Sequence, residues 1–202
     1  MADSNNKIFS FLDKELKEAG DKNFALGRNR LIGKGIISYG VRTSEIRKIT
    51  KKYFKKFQKT KTERDWFVIA EKLMSTKILD NQMAGIFFLS SALNSFEEIS
   101  AREIKKMIIA YIDNWATCDT ISSEVFAKLL RNSPEEIKVL FIWVKSKNIW
   151  VKRAALATTV KLKNKIKNWK KIASQVLSFS TEERELIVKK AARWLEKEII
   201  SS

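Results

Sequence analysis

Ser133-Pro134-Glu135-Glu136 is the stretch that decides the fold. A serine hydroxyl followed three residues later by a glutamate reads as a capping box: the hydroxyl satisfies an amide one turn in, and the carboxylate reaches back. Proline suits the first helical position, where no amide partner is lost. The same signature recurs on both sides, at Thr60 with Glu63, Ser100 with Glu103 and Ser180 with Glu183. Between these marks the apolar spacing predicts helices in pairs: 62–75 with 80–94, 101–113 with 115–131, 134–145 with 150–162, and 166–177 with 182–199. A two-helix unit every ~35–45 residues is the signature of a HEAT-like repeat. No segment alternates with period two for long enough to make a sheet. The expected fold class is all-α, a HEAT-like helical-repeat solenoid (an α-α superhelix), formed as a single domain over 1–202.

The N-terminal part continues the pattern. A helix over 5–19 carries Ile8, Phe9, Leu12 and Leu16 on one face, with Gly20 as its C-cap. A weaker helix runs from about Lys22 into the turn Gly33-Lys34-Gly35. Ser38-Tyr39-Gly40-Val41-Arg42-Thr43 then reads as a turn opening a strong helix. In that helix Ile46, Ile49, Tyr53 and Phe57 recur at helical spacing, and Lys51, Lys52, Lys55 and Lys56 crowd the remaining positions.

Composition narrows the chemistry. With 202 residues and 45% hydrophobic content the chain can bury a sizeable core. Forty Lys and Arg against 23 Asp and Glu give a net charge of +17. An excess of that size points to a polyanionic partner, most often nucleic acid. Histidine is absent, which removes the usual general base, the Ser-His triads and most catalytic zinc sites. No Gly-rich phosphate loop and no Cys/His cluster occurs, so no nucleotide or metal cofactor is expected. The one cysteine, Cys118, excludes an intramolecular disulfide and fits a reducing cytoplasm. No apolar run reaches membrane-spanning length, and the start, 1–6, is polar rather than signal-like.

Three stretches hold the candidate chemistry. In Ile112-Asp113-Asn114-Trp115-Ala116-Thr117-Cys118-Asp119 a helix would put the Trp115 indole and the Asp119 carboxylate one turn apart on one face. The pair is then aimed at a cation, or else Trp115 packs in a core and Asp119 caps a helix or pairs with a lysine. Asn148-Ile149-Trp150-Val151-Lys152-Arg153-Ala154-Ala155 opens a helix with an aromatic and a cation one turn apart. Arg153 could grip a phosphate with its planar fork; the alternative is a pair with a carboxylate on a neighbouring helix. In Lys189-Lys190-Ala191-Ala192-Arg193-Trp194-Leu195-Glu196-Lys197-Glu198, Trp194 follows Leu186, Ile187 and Ala191 at core spacing.

Taken in order with Tyr39-Gly40-Val41-Arg42-Thr43 and Glu45-Ile46-Arg47, these stretches resemble the AlkD-like DNA alkylation-repair glycosylases, from about Phe24 to Glu198. The resemblance implies HEAT-like repeats with a concave basic surface that holds double-stranded DNA. It also implies release of purines made cationic by alkylation at N3 or N7, in base excision repair, without a base-flipping pocket. Carried over by position, Trp115 and Trp194 flank the lesion's deoxyribose and Asp119 lies near its anomeric carbon. Arg153 holds a backbone phosphate, and Lys152, Trp150, Arg42 and Arg47 belong to the DNA-binding surface. No cofactor, a monomer and a place in the cytoplasm with the nucleoid complete the expectation. One departure lies at the last motif, where Arg193 stands in place of the usual Gly and Glu196-Lys197-Glu198 in place of Leu-Arg-Glu. Two other readings stay open: a HEAT-like DNA-binding protein without catalysis, and a protein–protein scaffold for an acidic partner.

Overall fold

Most of the apolar faces read from the sequence become helix faces, although the helix expected over 166–177 starts only at Trp169, and among the described residues no strand is present. The computed structural model describes residues 2–93 and 99–202. The fold is all-α, of the helical-repeat class. Its chain divides into two compact units, Met1–Ile99 and Ser100–Ser202.

The first unit holds α1 (Ala2–Glu18), α2 (Lys22–Ile32), α3 (Thr43–Phe57), α4 (Glu63–Ser75) and α5 (Leu79–Ala92). The predicted end of the last helix, Asn94, lies outside the described residues. Ile8, Leu12 and Leu16 of α1 join Ile46 and Ile49 of α3 and Leu73 of α4 in one apolar core. Trp66 of α4 stacks on Phe88 and tilts against Phe54, each with ring centroids 4.9 Å apart. Every residue from Leu79 to Leu89 is buried, so α5 runs through the core with apolar and polar groups alike covered. Gly85 makes that possible, because a Cβ there would lie 2.9 Å from the Ala70 carbonyl on α4.

Burying Asp80 inside α5 requires donors on every side. Arg28, Ser38 Oγ and the amides of Tyr39 and Val41 all donate to its carboxylate. This knot pins the turn before α3. Gly40 takes φ +84° in that turn, and a Cβ would strike the Asp21 carbonyl. A single parallel bridge, Ile37 to Ile78, ties the same turn to the start of α5.

The second unit holds α6 (Ala101–Tyr111), α7 (Trp115–Ile121), a π-helical turn Ser122–Phe126, α8 (Ala127–Asn132), a 3₁₀ turn Pro134–Lys138, α9 (Val139–Trp143), α10 (Ile149–Lys161), α11 (Trp169–Ser178) and α12 (Leu186–Ile200). Helix α10 is the axis of this unit, buried at Val151 and from Arg153 through Val160. Its small residues Ala154, Ala155 and Ala157 are fully covered. The π-turn arises where Ser122 Oγ donates back to the Cys118 carbonyl and the Ala127 amide reaches the Ser122 carbonyl. Such a turn widens the helix by one residue and changes which face the residues beyond it present.

Of the four expected capping boxes, the one at Ser100 forms where predicted and the others differ. At Ser100 the Glu103 carboxylate accepts from the Ser100 amide at 3.2 Å as expected. The box expected at Thr60 forms two residues later, between Thr62 and Asp65, because Thr60 instead bonds the Phe57 carbonyl. Ser133 makes no side-chain cap, and Pro134 begins a 3₁₀ turn that becomes helical only at Val139. At Ser180 the helix starts later than predicted, at Leu186, because Glu183 accepts from its neighbours' amides Arg184 and Glu185 and from Lys152.

Candidate functional site

The site is built by α7, α10 and α12 of the second unit. Asn114 N-caps α7, its Oδ1 accepting from the Thr117 amide at 3.0 Å. The cap sets the helix so that Trp115, half-buried, and Asp119 lie one turn apart on one face. Asn148 caps α10 in the same way, accepting from the amides of Trp150 and Val151.

From α10, Arg153 reaches Asp119 with both prongs of its fork: Nε donates to Oδ1 at 2.9 Å and Nη2 to Oδ2 at 2.7 Å. Its Nη1 donates to the Ile187 carbonyl at 2.6 Å, at the start of α12. The Arg153 side chain is 7% exposed and that of Asp119 22%. The arginine is thus a buried strut, while the carboxylate keeps an open side. Of the two sequence readings of Arg153, the pair with a carboxylate on a neighbouring helix is the one found. Three of its bonds are taken up inside the protein, which leaves one N–H on each terminal nitrogen for anything outside.

The carboxylate sits in a contest of effects. Burial pushes the Asp119 carboxyl above its ordinary value, while the Arg153 fork and the Lys161 ammonium pull it down. The net direction is upward. Beside it, burial drives the Cys118 thiol far up, so that it stays protonated. That thiol donates to the Trp150 carbonyl at 3.4 Å and acts as a small packing group rather than a nucleophile.

Lys161 was missed by sequence reasoning. Its ammonium lies 4.8 Å from the centroid of the Trp194 ring, and its charge also reaches Asp119. The signal was there to find: eight residues beyond Arg153, it falls on the same face of the predicted 150–162 helix. Trp194 itself is half-buried. The structure thus joins Asp119 to Arg153, and Lys161 to Trp194, with Trp115 on the Asp119 face of α7.

The other predicted residues lie elsewhere or are otherwise engaged. Lys152 is paired with Glu183. Burial would raise the Glu183 carboxyl, but Lys152 and two backbone amides outweigh that and hold it below its usual range. Trp150 is half-buried at the start of α10. Arg42 and Arg47 belong to the first unit, where both are exposed. Arg42 rests over the Phe24 ring at 5.3 Å and Arg47 over the Phe87 ring at 4.0 Å. Arg47 also lines a cleft of about 710 Å³ between α3 and α5, together with Lys48, Lys51 and Lys55. No acidic side chain lines that cleft.

Among the described residues no group of His, Cys, Asp and Glu could hold a metal ion, and no helix is long and apolar enough to cross a membrane. Comparison with known proteins adds one finding. The family model described as DNA alkylation repair enzyme matches residues 12–199. No curated protein matches the chain.

Proposed function

We propose, for a chain that belongs to the family of DNA alkylation repair enzymes, a DNA glycosylase activity that hydrolyses the N-glycosidic bond of N3- and N7-alkylated purines in duplex DNA. The observation that carries this reading is the Asp119 carboxylate, clamped through both oxygens by a buried arginine yet open on one side. A protein without histidine still needs a fixed negative charge where a positive one develops, and this is such a charge.

The chemistry asks for little else. Alkylation at N3 or N7 makes the purine cationic, so it leaves as a neutral base when the C1′–N bond breaks and takes the bonding pair. The sugar left behind is oxocarbenium-like, as in other glycoside hydrolyses. Asp119 faces that charge and orients a water, whose oxygen bonds C1′ while its proton passes to the carboxylate or to solvent. Trp115 and Trp194 offer aromatic faces that favour the same developing cation. Arg153 keeps the carboxylate in place. The one N–H left on each terminal nitrogen of Arg153 serves the phosphate-holding role that the family resemblance implies.

DNA binding in this reading rests on exposed cations. The +17 charge and the cleft bearing Arg47, Lys48, Lys51 and Lys55 support contact with phosphates. Arg42 joins them, while Lys152 and Trp150 border the lesion site. The chain acts as a monomer, as one HEAT-like DNA-binding and glycosylase domain over 1–202, on the nucleoid in the cytoplasm, with neither metal nor cofactor. Incubation with methylated duplex followed by alkaline treatment tests the proposal. Strand breaks at alkylated purines are expected, and intact strands beside demonstrable duplex binding would leave a DNA-binding protein without catalysis.

A further inference from the structure

The basic cleft of the first unit is larger than contact with a duplex backbone requires. It lies between α3 and α5, has a volume of about 710 Å³, and sets Arg47, Lys48, Lys51 and Lys55 beside the rings of Phe54 and Phe87. Sites that enclose a small molecule have this size, roughly 300–1,000 Å³. A double helix, whose major groove alone is about 12 Å wide, cannot enter such a space and meets only its rim. A single unpaired nucleotide fits inside.

The four cations form a track. On α3, Arg47, Lys51 and Lys55 follow at intervals of four residues and Lys48 precedes Lys51 by three, so all share one helix face. At 1.5 Å per residue the stripe from Arg47 to Lys55 runs about 12 Å, long enough for successive phosphates of one strand. All four residues are exposed. Glu45 meets Lys48 at 3.6 Å, but that pair is largely in solvent and yields to a phosphate at little cost.

Arg47 also makes a platform. Its guanidinium lies over the Phe87 ring, 4.0 Å from the centroid, and Phe87 is only 3% exposed beneath it. Nucleobases stack on guanidinium planes and on aromatic rings, and they do so whatever their sequence. Track and platform share one cleft, and no acidic side chain lines it.

We propose that this cleft holds an unpaired nucleotide of single-stranded DNA, its base stacked on Arg47 above Phe87 and its flanking phosphates on Lys48, Lys51 and Lys55. The inference rests on the DNA contact proposed for this cleft and names its ligand, a single strand. Stacking accepts any base, so the site separates unpaired from paired DNA rather than one sequence from another. Phosphate charge supplies the attraction, and the stack supplies a preference for strands that carry bases.

Two labelled strands of equal length and charge decide the matter at one fixed, low salt concentration: a short oligothymidylate, and an oligomer whose sugars carry no bases. The wild-type protein binds the first about tenfold more tightly, the scale that one stacked base contributes. Arg47→Lys and Arg47→Ser both remove the planar fork, and either suffices if the other folds poorly. In each the preference falls toward one, whereas Lys51→Gln and Lys55→Gln weaken both strands and leave the preference standing. Equal affinity of the wild type for the two strands, or no affinity for either, overturns the proposal. So does a preference that survives in folded Arg47→Lys and Arg47→Ser. Neither strand carries a lesion, so the outcome does not depend on base release. A base preference beside failure to bind duplex would sink the glycosylase reading alone.

Discussion

Replacing Asp119 by Asn separates a catalytic carboxylate from a structural one, and the structure sets the size of both effects. Arg153 presents two N–H groups to two carboxylate oxygens, at 2.9 and 2.7 Å. An asparagine offers one acceptor, and its amide group turns N–H against N–H at the other position. At least one hydrogen bond to a charged group is lost, worth about 1.5–3 kcal/mol. Removing one partner of a fully buried pair costs about 3–5 kcal/mol. The lower end applies here, because Asp119 has an open side and Arg153 keeps its bond to the Ile187 carbonyl. We expect a loss of about 2 kcal/mol, which at this chain length lowers the melting temperature by about 4–8 °C. A domain of ordinary stability, about 5–15 kcal/mol, remains folded.

The kinetic effect is of another order. Removing one preorganised electrostatic group of this kind lowers kcat by about 10²–10³, and a folded population that is nearly complete cannot produce such a drop. The assay is single-turnover release of base from methylated duplex, well below the melting point and normalised to folded protein. Duplex affinity, measured in parallel, holds or tightens, since a negative charge among phosphates is removed. Wild-type excision by folded Asp119→Asn refutes the catalytic assignment and leaves the ion pair as structure only.

Two further expectations concern solution conditions. Affinity for undamaged duplex falls with salt, with a log–log slope of roughly −0.9 per phosphate contacted; Arg42→Ala and Arg47→Ala each shrink that slope by about one and weaken binding to any sequence alike, and a salt-independent affinity would refute the phosphate contacts. Excision declines as pH falls through the Asp119 pKa, because the working form is ionised and burial has raised that pKa. The acid limb of the single-turnover profile therefore lies above the ordinary carboxylate value of 3.8, and a limb at or below it would contradict an essential, buried Asp119.

What could be read in advance followed from local physics. The helix over 101–113 and its Ser100 cap are set by spacing and a short side-chain bond, and α6 closely matches them. Trp115 and Asp119 share a face because four residues make about one turn. Ser133-Pro134 misled because a proline start also suits a 3₁₀ turn, and nothing local favours the wider helix. The π-turn after Asp119 depends on Ser122 bonding back to Cys118, a choice among hydroxyl partners that periodicity does not register. The Arg153–Asp119 pair joins residues 34 apart in sequence, so its existence was one of two readings of Arg153 and its bidentate geometry was not readable at all. The Asp80 knot was hidden for a related reason. An aspartate in an apolar helix looks like a surface residue until the turn at 38–41 delivers its donors.

The most direct measurement is chromatographic detection of free base after the protein is incubated with duplex DNA alkylated at purine N3 and N7. Time-dependent release of 3-methyladenine or 7-methylguanine by the wild type is expected, without added metal, and a rate lower by about 10²–10³ for Asp119→Asn. Tight binding of that duplex with no base released above the spontaneous rate would contradict it.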